Sequence, residues 1–151
     1  DSLLPHIREQ FADRLQCIAE QDSNDLSKAV RFAQSIGESS LMILGATGLR
    51  ECHTLGNISL LMEYHRWGLS PTMLTDHCTI RPFTGTQTIA TEKGQQVSIF
   101  SFGAKGLKSH GLKWPIYDFK SLWEGTLNEA LGNHITIEAE GDYIVMLDHM
   151  S

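Results

Sequence analysis

The sequence predicts a chain of two parts: a Rossmann-like parallel α/β lobe, incomplete at its start, over residues 1–77, and a small β-sandwich or barrel lobe over residues 78–151. Three observations carry this. Up to residue 77, stretches with helical apolar spacing alternate with short apolar runs; beyond 78 helical periodicity stops and period-two runs take over; and glycines punctuate the second half at Gly85, Gly94, Gly103, Gly106 and Gly111. Alternating helix and strand is the signature of crossover units in a parallel sheet, and short strands between turn signals are that of a sandwich or barrel.

The elements follow in order. Ser2 is placed to cap a helix with Pro5 in its first turn, and Ile7, Phe11 and Leu15 continue it. Cys17-Ile18-Ala19 reads as a short strand. Leu26, Ala29, Val30 and Ala33 form one apolar stripe after a polar start, and Gly37 stops it. Leu41–Leu44 is a compact strand closed by Gly45-Ala46-Thr47-Gly48. Leu55, Ile58, Leu61, Met62 and His65 make the next helix, ended by Gly68, and Pro71 leads into a strand at Thr72–Thr75. In the second half, strands are predicted at Cys78–Arg81, Thr86–Ala90, Val97–Phe102, His134–Glu140 and Tyr143–Leu147, with Gly141-Asp142 as the tight turn of a hairpin.

Composition narrows the function classes. The 151 residues carry a net charge of −6, and Lys105, Lys108 and Lys113 are the one local basic cluster, so a nucleic-acid-binding face is not expected. Cys17, Cys52 and Cys78 are odd in number and lack metal-finger spacing, which points to a reducing cytoplasm. No apolar run approaches the ~20 residues that span a bilayer. The seven histidines show no ligand spacing. The chain opens at Asp1 without an initiator Met, so either a processed start or a fragment is expected.

Three segments can carry chemistry. Gln21-Asp22-Ser23-Asn24-Asp25-Leu26-Ser27-Lys28 is the most polar run ahead of a helix. It reads equally as a helix cap or as carboxylates at the sheet crevice, hard donors suited to Mg²⁺ carrying phosphate oxygens, with Lys28 one turn further in. Gly45-Ala46-Thr47-Gly48-Leu49-Arg50 is either a plain strand-to-helix turn or a backbone cradle for an anion, to which the Arg50 fork would be suited. It lacks the spacing of a Walker loop. Gly111-Leu112-Lys113-Trp114-Pro115 reads as edge packing or as an aromatic platform for a flat, cationic ligand.

Together these segments resemble the thiamine pyrophosphokinase family, and in the family's order. Asp1-Ser2 matches the tail of an acidic G-D-x-D-S motif; Gln21, Asp25 and Lys28 match Q-x-x-T-D-x-x-K; Gly45, Gly48, Arg50, His53 and Asn57 match G-x-x-G-G-R-x-D-H-x-x-x-N. Gly111–Trp114 matches G-L-K-[WY], and Gly125 with Asn128-Glu129 matches the last motif in part. The sequence departs from the pattern at Asn24 for Thr, Leu49 for Gly, Cys52 for Asp and Leu127 for Ser.

The resemblance implies transfer of the pyrophosphoryl group of ATP to the hydroxyl of thiamine, giving thiamine diphosphate and AMP. It implies Asp1 and Asp25 as Mg²⁺ ligands, with Asp25, Lys28 and Arg50 as the catalytic set. Gly45, Gly48, Asn24 and Arg50 would hold ATP, and Gln21, Trp114 and Asn128 would hold thiamine. It implies a homodimer with thiamine near the subunit interface, so that Trp114 and Asn128 serve the partner's site. It implies a first strand and the other acidic residue of the first motif ahead of Asp1, and without them this 151-residue stretch alone is not expected to be fully active. Cys52 keeps a second expectation open, a thiamine-binding module without turnover. A third is a pyrophosphokinase acting on another hydroxymethyl heterocycle such as a pterin.

Overall fold

The computed structural model describes residues 4–15 and 18–150. The Ser2 cap, Asp1 and Cys17 lie outside them. Helix α1 (Pro5–Gln10) carries Pro5 in its first turn, and its N-cap position is Leu4, without a side-chain cap. It stops well short of Leu15: Phe11 closes it and Ala12–Arg14 tighten into a 3₁₀ turn. Ile18 and Ala19 are in no strand.

Helix α2 (Asp25–Ser35) starts at Asn24, whose side chain accepts from the Ser27 N–H at 2.9 Å. Its buried stripe differs from the expected one. Ala29 faces solvent, and Ser27 takes an inner position beside Val30. The Ser27 hydroxyl shares a buried 2.8 Å hydrogen bond with the Tyr64 hydroxyl, so neither polar group is buried unpaired. Strand β1 (Ser40–Ile43) follows, then helix α3 (Glu51–Arg66) and strand β2 (Ser70–Leu74). β1 and β2 are parallel, with Met42 opposite Thr72, so β1–α3–β2 is one crossover unit. α3 buries Leu61, Met62 and Tyr64, while Leu55, expected on that face, is exposed; Leu44 likewise turns outward beyond the end of β1.

The second half consists of β3 (Cys78–Thr84), β4 (Gln87–Ala90), β5 (Gln96–Ser101), β6 (Lys105–His110), β7 (Asn128–Glu129), β8 (His134–Glu140) and β9 (Asp142–Asp148). One sheet runs β1-β2-β3-β9-β5-β7 and a second runs β4-β8-β6. Backbone pairing therefore continues through residue 78: β2 pairs antiparallel with β3, and β3 with β9. Gly141 is not the turn of a hairpin. β8 pairs with β4 and β6, while β9 pairs with β3 and β5, so the chain turns a corner from one sheet to the other at Gly141, where φ is 95°. β6 had no strand signal, since Leu107 is its one large apolar residue and its register is broken by a bulge between Lys105 and Lys108.

Two cores share the large sheet. Ile89, Leu107, Ile135 and Ile137 of the small sheet pack on Val97, Ile99, Tyr143 and Val145 of the large one. On its other side, Met73, Ile80 and Ile144 pack with Leu61, Met62, Tyr64 and Val30 under the helices. β9 is thus covered on both faces: Tyr143 and Val145 point one way and Ile144 the other, as the two-residue period of a strand requires. Among the described residues, no helix is long and apolar enough to cross a membrane.

Candidate active site

The first group of candidate residues gathers where α2 begins and where the loop after β1 turns into α3. Asn57 makes the junction. From the second turn of α3 its amide nitrogen donates to the Ala46 carbonyl at 2.8 Å, and its amide oxygen accepts from the Asn24 amide at 3.1 Å. The loop itself bends through Gly45 (φ 65°) and Gly48 (φ 92°), both in the left-handed region that favours glycine. Leu49 leaves the loop open, since its side chain is 93% exposed. Arg50 occupies the N-cap of α3 and is exposed.

Asp25 begins α2 with its carboxylate 92% exposed, 3.8 Å from the Lys28 ammonium, while the Lys28 side chain is only 13% exposed. Glu20, which sequence reasoning passed over, belongs to the same group. The Ser23 hydroxyl donates to it at 2.8 Å; that bond, joined by the Ser23 and Asp22 backbone N–H groups and the Lys28 charge, holds its carboxyl below the usual carboxylate range. An acid three residues ahead of a serine at a helix entry was the available signal. Gln21 is exposed and, among the described residues, donates only to the Ala19 carbonyl, at 3.5 Å. Cys52 and His53 are exposed in the first turn of α3. Asp1 lies outside the described residues, and among those described no three His, Cys, Asp or Glu side chains are gathered as a metal cage.

The second group lies in the β half. Residues 111–121 form no regular strand, yet they are tied down. Asp118 accepts the Leu107 N–H at 2.8 Å; this bond and the Gly106 N–H hold its carboxyl below the usual range. Asn128, buried in β7, donates to the Trp114 carbonyl at 2.7 Å, and its oxygen accepts the N–H groups of Trp114 at 3.2 Å and Glu129 at 2.9 Å. Its amide is engaged with the backbone that presents Trp114. The Trp114 ring is 52% exposed and borders a cavity of about 280 Å³, together with Tyr117, Phe119, Leu127 and Asn128. The Lys113 ammonium lies 4.8 Å from the Trp114 ring centroid and pairs with Glu129 at 2.9 Å. Among the described residues, no hydrogen bond or ion pair joins this group to the first.

A glycine loop and a carboxylate-bearing helix start on a β–α–β unit, fused through one sheet to a β half that presents an exposed aromatic ring over a cavity, define a mixed α/β protein with two separate groups of candidate residues. The comparisons with known proteins make this specific. The description "Thiamin pyrophosphokinase, catalytic domain" matches residues 1–70, and "Thiamin pyrophosphokinase, substrate-binding domain" matches residues 79–146. The chain belongs to the thiamine pyrophosphokinase family. Thiamine pyrophosphokinase 1 of Oryza sativa subsp. japonica is 26% identical over 147 residues, covering 86% of this chain and 55% of the rice protein, so the chain spans about half the length of that relative. The thiamine pyrophosphokinase of Bacillus subtilis superposes with a TM-score of 0.82 at 23% identity, over 100% of this chain and 76% of that one. A thiamin pyrophosphokinase family protein of Enterococcus faecalis gives 0.80 at 18% identity, over 100% and 77%. At these identities the structures show the fold, and the names of domains and relatives alike are those of an enzyme.

Proposed function

We propose that this chain takes part in transferring the pyrophosphoryl group of ATP to the hydroxyl of thiamine. The observation that carries the reading is the link through Asn57, which sets the exposed Asp25 carboxylate and the largely buried Lys28 beside an open glycine loop. In this reading the thiamine hydroxyl oxygen attacks the β-phosphorus of ATP, the bond from that phosphorus to the α,β-bridging oxygen breaks, AMP leaves, and the hydroxyl proton is released. Such a transfer needs placement and charge neutralisation more than covalent help from the protein.

Lys28 and Arg50 would neutralise phosphate oxygens, and the Gly45–Gly48 backbone, with Asn24 beside it, would lie along the ATP phosphates. Among the described residues no three carboxylates gather as an all-protein cage, but the exposed Asp25 carboxylate fits Mg²⁺, which keeps water and binds chiefly through substrate phosphates. Asp25 would hold that ion, with Asp1 as the second carboxylate of the proposal, and the ion would supply charge neutralisation. Trp114 would stack on the thiamine pyrimidine ring, with Gln21 and Asn128 assigned to the same substrate.

The finer architecture belongs to the same reading. Residues 1–77 are taken as part of a Rossmann-like nucleotide lobe and 78–151 as the thiamine lobe. The protein is taken as a cytoplasmic homodimer with Trp114 and Asn128 near the partner's site. Cys52 favours one other reading, thiamine binding without turnover, because a thiol is a poor partner for magnesium where the resemblance has an aspartate. An acceptor scan on the full-length protein with ATP and Mg²⁺ tests these readings. AMP release with thiamine supports the proposal, and AMP release only with a hydroxymethyl pterin contradicts it. Thiamine binding by calorimetry with no AMP at high protein concentration establishes the non-catalytic reading.

A further inference from the structure

The geometry points to Asn57 and Asn24 as a positioning clasp that holds the Gly45–Gly48 loop in a ligand-ready shape against the start of α2. Asn57 is not in the first turn of its helix, so it caps nothing. Asparagine is a weak helix former in a helix interior. Its amide is instead used across the fold, and the hydrogen bonds fix which way both amides point. The Ala46 carbonyl can only accept, so the Asn57 nitrogen faces it at 2.8 Å and the Asn57 oxygen faces Asn24. Asn24 must then present its nitrogen to Asn57, leaving its oxygen for the Ser27 N–H at 2.9 Å, the bond that caps α2. Four groups are satisfied in one consistent orientation. Cap, clasp and loop are therefore a single unit: the atoms that start α2 also set the height of the Ala46 carbonyl between two glycines that would otherwise leave the loop free to sample many conformations. A loop ordered before its ligand arrives avoids the ordering cost at binding.

The inference rests on the proposal that this loop faces ATP. Asn57 acts through the loop and touches no reacting atom, and Asn24 lies beside that loop on the phosphate side, so the effect of the clasp belongs in nucleotide affinity rather than in thiamine affinity. The test uses Asn24→Ser, Asn57→Ala and the double variant in the full-length protein. Serine keeps a good helix cap but has no amide to reach Asn57, so Asn24→Ser retains the fold even where Asn57→Ala does not. Amide hydrogen exchange over residues 45–48 without nucleotide is expected to speed up in each variant. KM for ATP is expected to rise about tenfold while KM for thiamine stays within about twofold, and the double variant should be no worse than Asn57→Ala alone. Unchanged exchange in the loop, equal rises in both KM values, or additive losses would overturn the clasp, since a purely structural role predicts no split between substrates. A wild-type protein that makes no thiamine diphosphate overturns the functional reading instead. The exchange arm then decides the clasp by itself, faster exchange supporting it and unchanged exchange refuting it.

Discussion

Arg66, in the last turn of α3, grips one oxygen of Asp142, the first residue of β9, through Nε and Nη2, each at 2.8 Å, while the Thr84 hydroxyl donates to the other oxygen at 2.6 Å. The pair ties the helix layer to the corner where the chain passes between the two sheets. The Thr84 hydrogen bond, followed by the Arg66 hydrogen bond and charge, holds the Asp142 carboxyl below the ordinary 3.8. A carboxyl depressed on folding adds stability that is fully present above its unfolded value and is lost as pH falls through the lower folded value. Asp142→Asn should therefore lower unfolding free energy at pH 7 by about 1 kcal/mol, a modest figure because Arg66 is half exposed. The gap between variant and wild type should narrow in denaturant titrations below pH 3.8. A gap independent of pH would refute the assignment.

Gly125 is buried and lines the cavity beside Trp114. A Cβ there would fall on the Ile99 carbonyl oxygen and come within 2.7 Å of the Phe119 ring. Ile99 belongs to a ladder with β9 and cannot shift cheaply. Gly125→Ala should cost about 3 kcal/mol, read from the midpoint of urea unfolding.

Leu127 is the one non-glycine among the described residues with positive φ, at 58°, and its side chain is 65% exposed. Little packing offsets the strained backbone. Leu127→Asn should raise stability by about 1 kcal/mol, since asparagine tolerates this conformation. A lower melting temperature would show that the leucine packs on something that compensates, such as a second copy of the chain.

Trp114 is half exposed and its backbone is held by Asn128, so Trp114→Ala should leave the melting temperature nearly unchanged. In the full-length protein it should raise KM for thiamine by about tenfold or more, in line with the stacking energy of an aromatic heterocycle, and leave KM for ATP unaltered. Equal effects on both substrates would remove Trp114 from the thiamine site.

Much of this was legible because local and global signals agree. β8 alternates strictly and forms over His134–Glu140 as expected, and Gly37 and Gly68 follow their helices. The misses have physical causes. β6 is held by cross-strand pairs such as Lys108 with Glu138, which no apolar pattern announces. The Gly141 corner looks like a hairpin because alternation cannot say which sheet a strand joins. Ser27 hides in a helix stripe because its burial depends on Tyr64, 37 residues away. In the site, motif spacing drew attention to Asn24, Asp25, Asn57, Trp114 and Asn128 alike, but it does not encode the long-range hydrogen bonds by which Asn57 holds the Ala46 loop and Asn128 holds the Trp114 backbone.

The proposed reaction moves a pyrophosphoryl group to thiamine as a unit. Full-length protein supplied with thiamine, Mg²⁺ and ATP labelled at the β-phosphorus tests it most directly. The label is expected in thiamine diphosphate, beside unlabelled AMP in equal amount. Label recovered in ADP, with thiamine monophosphate as the product, would contradict it.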